Sequence, residues 1–126
     1  MKRFLLIFAS FLALSSYAQD LDKKIARSFS GGDVGSIAAN IDSEVELSIE
    51  GARERVKQGE AAEQINQFLN QLSAPRFTLI HKSDRRDAGF IIGNLQSGKI
   101  TYRINISFNK VDGKEMIQTI RIEESR

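Results

Sequence analysis

The sequence predicts an α+β domain in which helices come first and a curved antiparallel sheet follows. Three observations predict it. Apolar residues recur at helical spacing near the N-terminus and again in residues 61–72. Beyond residue 76 the pattern changes to alternation, in segments rich in Ile, Phe and Thr. The single proline, Pro75, stands at the changeover.

Residues 1–18 read as a signal peptide rather than as part of the fold. Lys2 and Arg3 form a basic start, Phe4 to Leu14 an apolar run, and Ser16-Tyr17-Ala18 a small-residue cleavage site, which makes Gln19 the mature N-terminus. The apolar run is too short for a bilayer core, which takes about 20 residues. Residues 19–126 then form one domain, with no linker, repeat or low-complexity tract.

Within that domain, Leu21, Ile25, Ala26 and Phe29 mark a helix that Gly31-Gly32 stops. Asp33 is placed to cap a short helix running to Ala39. Val45, Leu47 and Ile49 alternate with Glu44, Glu46, Ser48 and Glu50 in a half-buried strand ending at Gly51, with a second strand over Arg53 to Lys57. Ala61, Ala62, Ile65, Phe68, Leu69 and Leu72 form the apolar stripe of the longest helix. Ala74-Pro75 ends it, because the residue before a proline is pushed out of the right-handed helical region. Four strands follow: Phe77 to Lys82, Ala88 to Gln96, Lys99 to Asn109 and Lys114 to Glu123.

Matching apolar to apolar sets the expected pairing. A two-residue Ser97-Gly98 turn places Leu95 opposite Ile100 and Gly93 opposite Tyr102, whose ring fills the space over the glycine. A three-residue loop, Val111-Asp112-Gly113, sets Phe108 against Met116 and Ile104 against Ile120. The two-residue Asp112-Gly113 loop would instead oppose Ile104 and Arg121. A loop over Asp84 to Asp87 puts His81 opposite Phe90. The core face then carries Ile80, Ile91, Leu95, Ile100, Tyr102, Ile104, Ile106, Phe108, Met116, Ile120 and Ile122. The outer face carries Phe77, Leu79, His81, Phe90, Ile92 and Ile117. A bulge in Ala88 to Gln96 would exchange the faces.

Charge and motifs exclude several function classes. Removing residues 1–18 takes Lys2 and Arg3 from the 18 basic residues and leaves 16 facing 16 acidic ones, so no basic excess points to nucleic acid. Without cysteine the exported chain has neither disulfides nor a lipoprotein anchor. With one histidine a zinc site is not expected. Gly93 to Thr101 (GNLQSGKIT) imitates a phosphate-binding loop but has Ile100 at the Mg²⁺-ligand position. A phosphate loop must open a helix, and here strand pattern continues on both sides, so no nucleotide cofactor is expected. Arg103 and Arg121, expected face to face, could hold an anion but read as a solvated cluster beside Glu123. Asn105-Ile106-Ser107 is a sequon inside a strand and carries no meaning there.

Several residues also carry a resemblance: Phe29 with Gly32-Asp33, Val45 and Leu47, Ala61 to Leu69, Pro75 with Phe77 and His81, Gly93 with Leu95, and Tyr102-Arg103. On these, residues 29–123 resemble a family of small secreted bacterial domains of unknown function with the nuclear-transport-factor-like (cystatin-like) cone fold. The resemblance implies that fold and no activity. Enzymes on such folds work inside the cone with an Asp or His base, whereas alternation places His81 outside, and the concave face offers only Thr78, Tyr102 and Gln118 as polar groups. The expectation is therefore an exported binding or assembly module, periplasmic or extracellular, with no cofactor. It would form a homodimer or bind another exported protein through Phe77, Leu79, His81, Phe90, Ile92 and Ile117, an apolar patch that a solvated sheet should not leave bare. The alternative is a small-molecule carrier or enzyme with an apolar pocket at Thr78, Tyr102 and Gln118.

Overall fold

A computed structural model of the chain describes residues 21–125. The signal-peptide reading of residues 1–18 falls outside them. Helices α1 (Leu21–Gly31) and α2 (Gly35–Ala38) are followed by a hairpin of β1 (Ile41–Ile49) and β2 (Ala52–Lys57), then α3 (Gln58–Asn70). The chain ends in β3 (Arg76–Asp84), β4 (Ala88–Ser97), β5 (Ile100–Val111) and β6 (Lys114–Ser125). The strands form one sheet in the order β2-β1-β6-β5-β4-β3. Neighbours are antiparallel except β1 and β6, which run parallel and close the sheet between its first hairpin and its last strand.

The helices cover one face, with α1 against β3 and β4 and α3 against β1 and β2. Helix α1 buries Leu21, Ile25, Ser28 and Phe29, one stripe at helical spacing, and α3 buries Ala61, Ile65, Phe68 and Leu69. Two aromatic pairs join helix to sheet: Phe29 stacks on Phe77 at 6.1 Å, and Phe68 meets Tyr102 edge-on at 5.0 Å. Leu72 lies just beyond α3 yet still packs against the core. Asp33 does not cap α2, whose N-cap is Val34; its carboxylate accepts a hydrogen bond from Ser36 Oγ at 2.7 Å, while Ser28 Oγ donates to the Asp33 carbonyl at 2.8 Å.

Turn geometry revises the expected registers. The β4–β5 turn is Gly98-Lys99, with the positive φ of 60° on Gly98, so Ser97 pairs with Ile100 and Leu95 with Tyr102. Moving the pairing by two residues preserves the faces, but Gly93 now lies opposite Ile104. A side chain at Gly93 would meet the Phe77 ring, whose Cζ lies 2.3 Å from the position of an added Cβ, so the ring that fills this space is Phe77 and not Tyr102. At the start of β4 the loop closes one residue later than expected, with Asp84 opposite Gly89.

The β5–β6 turn is the two-residue Asp112-Gly113, both at positive φ (53° and 78°), as a type I′ turn requires. The conflict between Ile104 and Arg121 disappears because Gln118 bulges out of β6. Phe108 pairs with Ile117, Ser107 with Thr119, and Ile104 with Ile122. The bulge turns Ile117 into the core and leaves Met116 half-buried, opposite Asn109. A second bulge in β3 leaves Ile80 unpaired between Leu79, opposite Gly93, and His81, opposite Ile92. It exchanges the faces of the preceding segment and brings Phe77 into the core. Ile80 and Ile100, expected inside, are 52% and 44% exposed, one at the bulge and the other beside the hairpin tip.

Candidate functional site

The helix-free face of the sheet is built from two cross-strand rows. Arg55, Glu46, Thr119, Ser107, Phe90 and Ser83 stand in one, and Arg53, Ser48, Arg121, Asn105, Ile92 and His81 in the next. Both begin with arginine at edge strand β2 and become apolar at β4. At the charged end, Arg55 Nε lies 2.9 Å from Glu44 Oε2, Arg53 Nε 3.4 Å from Glu46 Oε1, and Arg121 Nε 2.8 Å from Glu123 Oε1. The expected Arg103–Arg121 opposition does not form, because the Gln118 bulge sets Arg103 against Glu123 and Arg121 against Asn105. Arg103 instead donates to Asn94 Oδ1 at 3.1 Å.

At the apolar end the His81 and Phe90 rings lie 5.6 Å apart at 42°, with Ile92 half-buried opposite His81. Phe90 is 39% exposed on β4, and Leu79 is 42% exposed on edge strand β3. Of the six residues expected to form this patch, His81, Phe90 and Ile92 share the outer face. Phe77 and Ile117 do not, since the β3 and β6 bulges bury them in the core. Leu79 lies on the inner side of the β3 bulge, at the exposed edge.

The three polar residues expected in a pocket are separated. Thr78 is exposed on the outer side opposite Asn94, Gln118 is the half-buried bulge residue, and Tyr102 is buried beneath Phe68. Burial raises the Tyr102 phenol above its ordinary pKa, with the Glu50 and Glu124 carboxylates adding to the shift. Among the described residues no group of three His, Asp or Glu side chains is placed to hold a metal ion.

Sequence reasoning missed a polar lock at the other end of the sheet. Lys82 Nζ stands 3.7 Å from Asp22 Oδ1 on α1 and 3.8 Å from Glu115 Oε2 on β6, while Lys110 pairs with Asp84. The Lys110 hydrogen bond, chiefly, holds the Asp84 carboxyl below its ordinary pKa. Asn40 Nδ2 donates to the Glu115 carbonyl at 2.8 Å, and the Ile117 amide returns a bond to the Asn40 carbonyl at 2.7 Å. Lys82 stands on the inner side beside the outward His81, as alternation places it, but its partners lie on α1 and β6, distant in sequence, so alternation alone did not reveal these pairs.

The geometry is that of a sheet wrapped on helices, and the residues that order it lie across the whole chain. A family profile, described as a domain of unknown function (DUF4783), matches residues 22–123. The chain belongs to the DUF4783 family. A crystal structure of a member from Bacteroides uniformis is similar at 23% identity, over 85% of this chain and 99% of that one, with a TM-score of 0.77. A member from Bacteroides fragilis shares 27% identity over 84% of this chain and 100% of that one, with a TM-score of 0.73. An NTF-2 like protein of unknown function from Silicibacter pomeroyi is 8% identical, over 94% and 98% of the two chains, at a TM-score of 0.61. DUF4783 members and this more distant protein thus share the nuclear-transport-factor-like α+β fold. No curated protein matches the chain.

Proposed function

We propose that the chain is an exported binding module whose interaction surface is the β3–β4 end of its helix-free sheet face, and that its partner there is a second copy of itself. One observation carries this reading: Phe90 stands 39% exposed against His81, beside Ile92, with Leu79 and Ile80 bare along the adjacent edge. A two-fold interface sets the same patch on both subunits, so one apolar cluster supplies both halves. Burying it gains about 25 cal/mol for each Å² of apolar surface. Association also costs several kcal/mol or more in lost freedom, so the expected dimer is weak and concentration-dependent. The β3 bulge disfavours edge-to-edge strand pairing, which supports face-to-face contact.

Export rests on the order of residues 1–18: a basic start, an apolar run and a small-residue site. Among the described residues no helix is long and apolar enough to cross a membrane. The carrier or enzyme reading has less support, since Thr78, Tyr102 and Gln118 do not converge and the space between helices and sheet is filled by Ile65, Phe68, Leu95, Ile104 and their neighbours.

Sedimentation velocity over a wide concentration range, on the parent protein and on Phe90→Lys, tests the interface. The expected result is reversible dimerisation in the parent and a folded monomer in the variant. A parent that stays monomeric, or a variant that dimerises equally well, would contradict it.

A further inference from the structure

His81 is the single histidine of the sequence, and it stands inside the apolar end of the helix-free face. The residue is exposed, its ring lies 5.6 Å from that of Phe90, and its ladder partner on β4 is Ile92. No group among the described residues hydrogen-bonds the imidazole, so in the monomer water solvates it in either charge state. An imidazole ordinarily gains or loses its charge between about pH 5 and 8, a range in which the other side chains ordinarily do not.

The charges around His81 decide what a proton costs once the patch is covered. β3 is an edge strand, so on this face β4 alone packs beside it. The β4 side chains there, Phe90, Ile92 and Asn94, cannot ionise. On β3 itself Arg76 lies at the start of the strand, while Lys82 and Asp84 face inward, Lys82 to Asp22 and Glu115 and Asp84 to Lys110. The loop beyond carries Arg85, Arg86 and Asp87, two cations to one anion. On β5, Arg103 donates to Asn94. Along the cross-strand rows the first carboxylate met is Glu123 on β6, three strands from β3 and roughly 14 Å away at ordinary strand spacing, and it already holds Arg121.

We infer that acid opens the dimer: the subunits associate while His81 is neutral and separate as it takes up a proton. The inference rests on the two-fold dimer proposed for this face. In that dimer the partner is a second copy, so it brings the same histidine, the same apolar neighbours and the same arginines. It brings no carboxylate on the patch to meet an imidazolium. Covering the patch also removes the water that solvated the charge, and a charge buried without a partner is costly. The interface therefore favours the neutral imidazole, and the separated chains bind protons better than the dimer does. By linkage, association is intact on the alkaline side of the imidazole range and is lost as pH falls through it. One histidine from each subunit takes part, so two protons act on each dimer.

Sedimentation equilibrium at about pH 7.5 and about pH 5.5, on the parent protein and on His81→Phe, tests the inference. The variant keeps a ring against Phe90 and cannot take up a proton. The parent Kd should rise roughly tenfold or more at the lower pH, and the variant Kd should stay the same. A parent dimer of equal Kd at both pH values would overturn the acid response and leave the dimer standing. A parent that is monomeric at both would overturn the dimer and the response together. A variant with the parent's pH dependence would overturn the assignment to His81, and loss of the parent's circular dichroism at the lower pH would make the change one of folding and overturn it as well.

Discussion

The two ends of the helix-free sheet face share the same rows and the same lack of a helical cover, yet they solve the problem of exposure differently. At the β2–β1–β6 end each arginine meets a carboxylate, Arg55 with Glu44, Arg53 with Glu46 and Arg121 with Glu123, so that end is complete in water. At the β4–β3 end the same rows finish in Phe90, Ile92 and His81, which water cannot satisfy in the same way. Pairing at one end and exposed apolar side chains at the other thus distinguish two halves of a face that composition does not.

The largest effect should come from comparing two phenylalanines on neighbouring strands. Phe77 is stacked on Phe29 and lies over Gly93, so Phe77→Ala should cost about 3–5 kcal/mol of unfolding free energy. Phe90→Ala should cost far less in the monomer. Urea denaturation of both variants checks this, and equal losses would show that Phe90 is core.

Gly93→Ala sharpens the same contrast with a smaller change. Its added methyl would lie 2.3 Å from Phe77 Cζ and 2.9 Å from the Thr78 carbonyl oxygen, so overpacking of about 1–3 kcal/mol is expected. The combined Gly93→Ala and Phe77→Leu variant should recover part of the loss in the same urea measurement, because the clash is chiefly with the ring.

The smallest effect is expected at the charged end. Arg55→Ala removes an exposed pair and should cost no more than about 1 kcal/mol, less still at high salt. Thermal unfolding at two ionic strengths checks it, and a large salt-independent loss would mean that this end is more than a solvated surface.

Much of this architecture is legible in the residues because periodicity reports which side of an element is buried. The stripes of α1 and α3 and the even positions of β5 from Tyr102 to Phe108 follow directly from it. Bulges were harder to read, since one extra residue reverses every face beyond it. Their traces are nonetheless present: Ile117 and Ile120 are both buried but three apart, and Leu79 and Ile80 are adjacent apolar residues in a strand that should alternate. Reading these as breaks in period would have moved Ile117 and Phe77 inward and shortened the outer patch to His81, Phe90 and Ile92.

The central claim, that the apolar end of the helix-free face is an interface between copies, is tested most directly by following side-chain NMR signals on dilution. Resonances of His81, Phe90 and Ile92 should shift with concentration along one dimerisation curve, while those of Arg53, Arg55 and Gln67 stay fixed. Concentration-independent signals at His81, Phe90 and Ile92, or equal shifts at the charged end, would contradict it.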